Sequence, residues 1–210
     1  MIELLMVVIL SSIPILFAAT GELVVEKSGI LNLGVEGMML MGAVVASITV
    51  ITTGNQYLAI ITGALSGVLT SLIFGFFTLV LATNQVATGL ALTIFGTGLS
   101  GLLGAEYVGK AISRLDSIKV PVLSELPILG YILFTHNILV YLGFIMVFLV
   151  GWFLYKTKSG LILRAVGNNP ESAHALGYSV ISIRFLAVMF GGFMAGLGGS
   201  FLPLVLTPHW

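Results

Sequence analysis

The sequence predicts an all-α, polytopic membrane helix bundle, and three observations carry that reading. Apolar residues make up 58% of the chain and charged residues only 8%, against about 25% charged in an average soluble domain. The charges are clustered, leaving long stretches with none, and an ion in hydrocarbon is costly enough that charge-free stretches trace the bilayer. These stretches also have the length of a helical crossing, roughly 20 residues, and polar breaks separate them.

Six spans follow in order. Residues 4–21 form the first; the start, Met1-Ile2-Glu3, lacks the basic region that opens a secretory signal, so the segment reads as a retained span. Residues 37–105 carry no charge, and the breaks Thr53-Gly54-Asn55-Gln56 and Thr83-Asn84-Gln85 divide them into spans 37–53, 57–82 and 88–104. The region 105–137 mixes charges with Pro121 and Pro127, which suits an external loop, with room for a short re-entrant stretch at 127–134. Uncharged runs at 126–155 and 185–210 supply the fifth and sixth spans. All of 1–210 thus reads as one transmembrane domain.

Orientation follows from the basic residues, because the side richer in Lys and Arg is cytoplasmic. Alternating crossings put Lys27, Lys156, Lys158, Arg164 and Arg184 on one side and Lys110, Arg114 and Lys119 on the other. The loop 156–182 is therefore placed inside and the amino terminus outside.

Composition also excludes function classes. A formal net charge of zero leaves no electrostatic footprint for nucleic acid. Without cysteine there are no disulfides, thiol nucleophiles or thiolate-bound metals, and His136, His174 and His209 are too scattered to predict a metal site. Neither a Gly-x-x-x-x-Gly-Lys-Ser/Thr, a His-Glu-x-x-His nor a Gly-x-Ser-x-Gly motif is present. Any ATP chemistry that drives this chain belongs to another subunit. Small residues four apart, Gly63 with Gly67, Gly192 with Gly196 and Ala195 with Gly199, predict helices packed closely in lipid.

The polar loop carries explicit helix punctuation. Asn169 is a good N-cap, Pro170 suits the first helical position, Glu171 complements the positive helix end, and Gly177 can end the helix in a left-handed conformation. The spacing specifies a two-turn helix, too short to be stable in water by itself and so expected to dock.

Around it the sequence resembles the permease subunits of ATP-binding-cassette importers, whose cytoplasmic coupling loop carries Glu-Ala-Ala-x-x-x-Gly. Here the segment is Glu171-Ser172-Ala173-His174-Ala175-Leu176-Gly177, with Ser172 replacing one alanine. Two further segments, Arg164 to Pro170 and Asn84 to Leu92, together with Glu26 to Leu40, are similar to the simple-sugar and nucleoside permease family, a relative of the branched-chain amino-acid permeases. Asn32 and Glu36, where ribose-type members show Gly-x-Asp-Leu-Ser-Val-Gly, make the nucleoside branch the nearest match. The resemblance runs from about residue 10 to the end. Since such subunits usually have about 300 residues with more spans after the coupling loop, the sequence reads as truncated at its C-terminus.

The resemblance implies a subunit that catalyses no covalent reaction and binds no cofactor. It implies a second permease subunit, ATPase subunits that hold ATP and Mg, a substrate-binding lipoprotein or periplasmic protein, and a prokaryotic inner or plasma membrane. It gives an ATPase-coupling role to Arg164, Asn169, Pro170, Glu171, Ala173 and Gly177. Between residues 22 and 37, Ser28, Gly29, Asn32, Gly34 and Gly37 interrupt apolar sequence. Irregular backbone at membrane depth survives only against protein or a wet cavity, which predicts a broken helix near the translocation path. Candidate path residues are Asn32, Glu36, Asn84, Gln85 and Thr88. Each has a plainer alternative: a helix cap for Asn32, an interfacial carboxylate for Glu36, and turn residues for the other three. Two rival functions remain. One is an ion-coupled carrier or channel using Glu36; the other is a structural subunit or nonfunctional fragment.

Overall fold

The computed structural model describes residues 2–117 and 135–209. Among them are eight α-helices: α1 (Ile2–Lys27), α2 (Val35–Thr53), α3 (Gln56–Gly75), α4 (Gln85–Gly104), α5 (Ile138–Lys156), α6 (Lys158–Asn168), α7 (Pro170–Ala175) and α8 (Val180–Phe201). Six helical stretches are long and apolar enough to cross a membrane: Leu4–Lys27, Val35–Thr53, Gln56–Val80, Gln85–Tyr107, Ile138–Lys156 and Val180–Leu206. The all-α, six-span expectation therefore holds.

Several helix boundaries follow side-chain caps. Asn55, Asn84 and Asn137 each stand before α3, α4 and α5 and accept a hydrogen bond from the backbone N–H three residues on, at 3.1, 3.0 and 3.2 Å. These satisfy donors that the first turn leaves without helical partners. Two spans end in π-helical turns, Phe76–Val80 after α3 and Leu202–Leu206 after α8. In the second, Pro203 has no N–H to donate and its ring crowds the preceding turn, which a wider turn relieves.

The boundaries of three predicted spans are corrected. Helix α1 continues to Lys27 rather than stopping at 21, and α8 begins at Val180 rather than 185 and gives way to its π-turn, which ends at Leu206. Helix α5 starts at Ile138, not at 126. The reason is common to the first two: charge-free runs mark hydrocarbon depth, whereas a helix continues past that depth when its charged residues find partners. Arg184 and Glu22 both do so. The re-entrant stretch at 127–134, with Pro121, Pro127 and Lys119, lies outside the described residues.

Helix α8 is the centre of the bundle and packs against α1, α2 and α3; α4 lies against α2, and α5 against α1 and α6. Of the glycines predicted to mediate packing, Gly63, Gly67, Gly192 and Gly196 meet at the α3–α8 crossing, while Gly199 meets Met39 of α2. A Cβ at Gly196 would lie 2.5 Å from the Gly63 carbonyl oxygen and 2.9 Å from the Ala64 Cα. Only a bare backbone fits there. Toward the end opposite the polar loop, Ile13, Phe17, Met194, Phe201 and Leu204 form the main apolar core. At that end the chain after α4 returns to α8: the Ile112 and Leu115 N–H groups donate to the Pro208 and Leu204 carbonyls at 2.9 Å each.

Candidate functional site

The end of the bundle that carries Lys27, Lys156, Lys158, Arg164 and Arg184, called here the basic end, holds the candidate site. Between α1 and α2 the chain turns through an elbow, residues 28–34, in place of a break within one helix. The N–H groups of Ser28, Gly29 and Ile30 bond back to the last carbonyls of α1 and the Gly34 carbonyl accepts from Met38 of α2, but the polar backbone groups between them must find partners elsewhere. Side chains of three helices supply them. From α1, Glu22 Oε1 accepts the Asn32 N–H at 3.0 Å; from α4, Gln85 Oε1 accepts the Leu31 N–H at 2.8 Å; from α8, Arg184 Nε donates to the Ser28 carbonyl at 3.0 Å. The elbow completes the set itself: Asn32 Oδ1 accepts the Gly34 N–H at 3.0 Å. The Thr93 hydroxyl of α4 donates to the Leu33 carbonyl at 3.1 Å.

Helix α6 reaches this elbow at its C-terminal end. A Cβ at Gly167 would collide with the Lys27 carbonyl oxygen and lie 3.1 Å from the Gly29 nitrogen. Gly29 itself has φ +85°, and its own Cβ would sit 3.2 Å from Gly167 Cα. Two glycines therefore let α6 touch the α1–α2 turn backbone to backbone. Helix α6 was not anticipated within the loop 156–182. The Thr157 hydroxyl caps it, accepting from the Gly160 N–H at 3.0 Å, and Leu163 and Val166 bury its apolar side.

The two-turn helix α7 follows at once and is punctuated as the spacing predicts. Asn169 Oδ1 accepts the Ser172 N–H at 3.0 Å, and Pro170 takes the first helical position. At its end Gly177 has φ +88°; its N–H donates to the His174 carbonyl at 2.8 Å and the Tyr178 N–H to the Ala173 carbonyl at 3.1 Å. That pair of bonds is the left-handed helix stop that glycine favours. Glu171, Ser172, His174 and Ala175 face outward, and Leu176 is 78% exposed. Ala173 faces inward and is 3% exposed. Within the coupling set it therefore seats the helix on its own chain. Arg164, on α6, lies over the Tyr155 ring at 5.1 Å from its centroid.

The five path candidates separate into three places. Asn32 is 1% exposed and spends its side chain on the elbow, and Gln85 holds the same elbow from α4. Asn84 caps α4, and Thr88 shares a hydrogen bond with Thr83 at 2.9 Å. Of the five, Thr88 alone lines the cleft of about 500 Å³ between α3 and α4, whose other walls include Phe74, Phe77 and Phe95. Glu36 is exposed in the first turn of α2, where the helix dipole favours a carboxylate. Sequence reasoning missed Glu22, Arg184 and Gly167, which tie the elbow to α1, α8 and α6. The signal for the first two was an ion inside a helix end; Gly167 left none beyond being a glycine. Among the described residues no group of three or more His, Asp or Glu side chains is placed to hold a metal ion.

Comparison with known proteins places this arrangement. Residues 4–208 match the family described as the permease component of the branched-chain amino acid transport system. The chain belongs to this family. The permease chain is 38% identical over 200 residues to a protein named as a glucose ABC transporter permease in Haloferax volcanii, covering 93% of this chain and 61% of that one. It is 34% identical to a nucleoside ABC transporter permease of Lactococcus lactis, covering 90% and 63%, and 30% identical to a guanosine ABC transporter permease of Bacillus subtilis, covering 89% and 62%. The permease chain thus spans 61–63% of the length of these relatives. No solved structure matches it.

Proposed function

We propose that this chain is the membrane-spanning part of an ATP-driven importer that moves a small polar solute, a nucleoside or a simple sugar, inward across the prokaryotic plasma membrane. Its partners in that reading are an ATPase subunit holding ATP and Mg, a second permease subunit forming the path with this one, and a solute-binding lipoprotein or periplasmic protein. The relatives named for nucleoside, guanosine and glucose transport support the substrate class.

The observation that carries the proposal is the continuous contact from α7 to the α1–α2 elbow. The coupling helix, with Glu171, Ser172, His174 and Leu176 exposed for an ATPase surface, is joined through Asn169 and Pro170 to α6. Helix α6 meets the elbow at Gly167, and the elbow is bonded to α1, α4 and α8. A push on α7 therefore reaches the transmembrane helices through the backbone contact at Gly167 and then through the side-chain hydrogen bonds that hold the elbow. ATP binding and hydrolysis drive transport if nucleotide on the ATPase favours one of two arrangements of this end over the other. In this scheme Asn32 and Gln85 hold the joint, while Thr88 and Glu36 remain candidates for contact with solute.

The test is uptake of labelled guanosine and glucose by cells carrying the complete importer with native or Gly177→Pro permease. Proline removes the N–H that closes α7 and cannot adopt φ +88°. Expected is loss of uptake with solute capture by the binding protein intact. Unchanged uptake in the variant refutes the coupling role of α7, and uptake that depends on an ion gradient but not on the ATPase refutes the importer reading.

A further inference from the structure

At the basic end a groove of about 630 Å³ opens between α5 and α8, with Val24 of α1 and residues of α6 completing its walls. Its size falls among pockets that hold a small organic ligand, roughly 300–1,000 Å³. Its lining is almost wholly apolar: Leu149, Val150 and Phe153 on α5 and Ile183, Ala187 and Phe190 on α8. Leu149 and Leu186 in its walls are exposed, so the groove opens on the outer surface of the bundle.

The depth of the groove is marked by its neighbours. Tyr178 in the groove wall and Trp152 and Tyr155 in the last two turns of α5 are exposed, and aromatic residues with a polar edge gather at the level of lipid headgroups. Polar Ser159 and Tyr178 are the wall residues at that end, and Lys158 directly precedes Ser159. From Ile138 to Pro170 the chain carries Lys156, Lys158 and Arg164 and no acidic residue. Arg164 lies over Tyr155, while Lys156 and Lys158 are exposed at the junction of α5 and α6.

We propose that this groove is a binding site for an anionic phospholipid, with an acyl chain along the wall between α5 and α8 and the phosphate beside Lys156 and Lys158. Charge complementarity selects the headgroup, because basic residues next to a groove between spans attract anionic lipid on the cytoplasmic side. The occupant braces α6, whose other end touches the α1–α2 elbow. The proposal rests on the groove and its charges and does not depend on which solute is carried.

The test is native mass spectrometry of the full chain in detergent, titrated with phosphatidylglycerol and with phosphatidylcholine of the same acyl chains. Phosphatidylglycerol is expected to be held at least about fivefold more tightly, the factor that one lysine near an anionic headgroup supplies. The double variant Lys156→Gln, Lys158→Gln is expected to hold both lipids equally. Leu149→Trp, at an exposed position where folding is not at risk, is expected to lower retention of both by filling the groove. Equal affinity of the native chain for the two lipids overturns the proposal, as does a preference that survives the double lysine variant or retention unaffected by Leu149→Trp. So does efficient crosslinking of Ser159→Cys between two copies in the membrane, which would make the groove a contact between chains.

Discussion

Glu22 shows how one side chain can hold a joint. Its Oε1 accepts the Asn32 N–H, and its Oε2 has no hydrogen-bond partner. Replacing it with alanine leaves a buried backbone donor unpaired, a loss of about 1–3 kcal/mol. Glu22→Ala should therefore lower the thermal unfolding midpoint of the detergent-solubilised chain, whereas Glu22→Gln, which keeps an acceptor oxygen, should stay near native. Equal midpoints for the two variants would remove Glu22 from the elbow's support. Gly167 makes a complementary case. Any side chain there must displace the Lys27 carbonyl, so Gly167→Val should separate α6 from the elbow and, under the proposed function, abolish uptake by the complete importer. Native uptake in that variant would show that force does not pass through this contact.

At the scale of elements, α7 depends on its caps because six residues provide too few internal hydrogen bonds to hold a helix. Asn169→Ala removes the acceptor for the Ser172 N–H and should cost about 1 kcal/mol. Amide hydrogen exchange over residues 171–176 should then speed up about fivefold, with α8 unaffected. No change in that segment would mean that α7 is held by tertiary contact alone. The α3–α8 crossing makes a different demand, since backbone meets backbone at Gly63 and Gly196. Gly196→Leu should force the helices apart and lose more stability than Leu substitution at Gly98, whose surroundings are open. The two midpoints measured side by side decide it.

For the whole molecule, the prediction concerns which end faces the cytoplasm. Because the native chain has no cysteine, single cysteines report topology without background. Thr53→Cys, at the end of α2, should react with a membrane-impermeant maleimide on intact cells, and Ser172→Cys, on α7, only after lysis. The reverse pattern would put α7 outside, where the ATPase of the proposed importer could not reach it. The bundle also shows why the elbow matters beyond its own turn: α8 at the centre touches α1, α2 and α3, and Arg184 fixes its basic end to Ser28. A shift of the elbow is thereby a shift of the central helix.

The sequence by itself determined the class, the six crossings and the punctuation of α7, because these are local matters: hydrocarbon excludes ions over each span, and Asn169, Pro170 and Gly177 act on their own neighbours. It also determined that Gly63, Gly67, Gly192 and Gly196 would mediate close packing, though not which pairs would meet. Only the tertiary structure decided that α1 extends past Glu22, that α8 begins before Arg184, and that Asn32 and Gln85 serve one elbow from two elements. Those outcomes rest on hydrogen bonds between residues as far apart as Ser28 and Arg184. Whether a charged or polar group is tolerated at a helix end depends on the partner that folding brings to it, and no spacing along the chain records that partner.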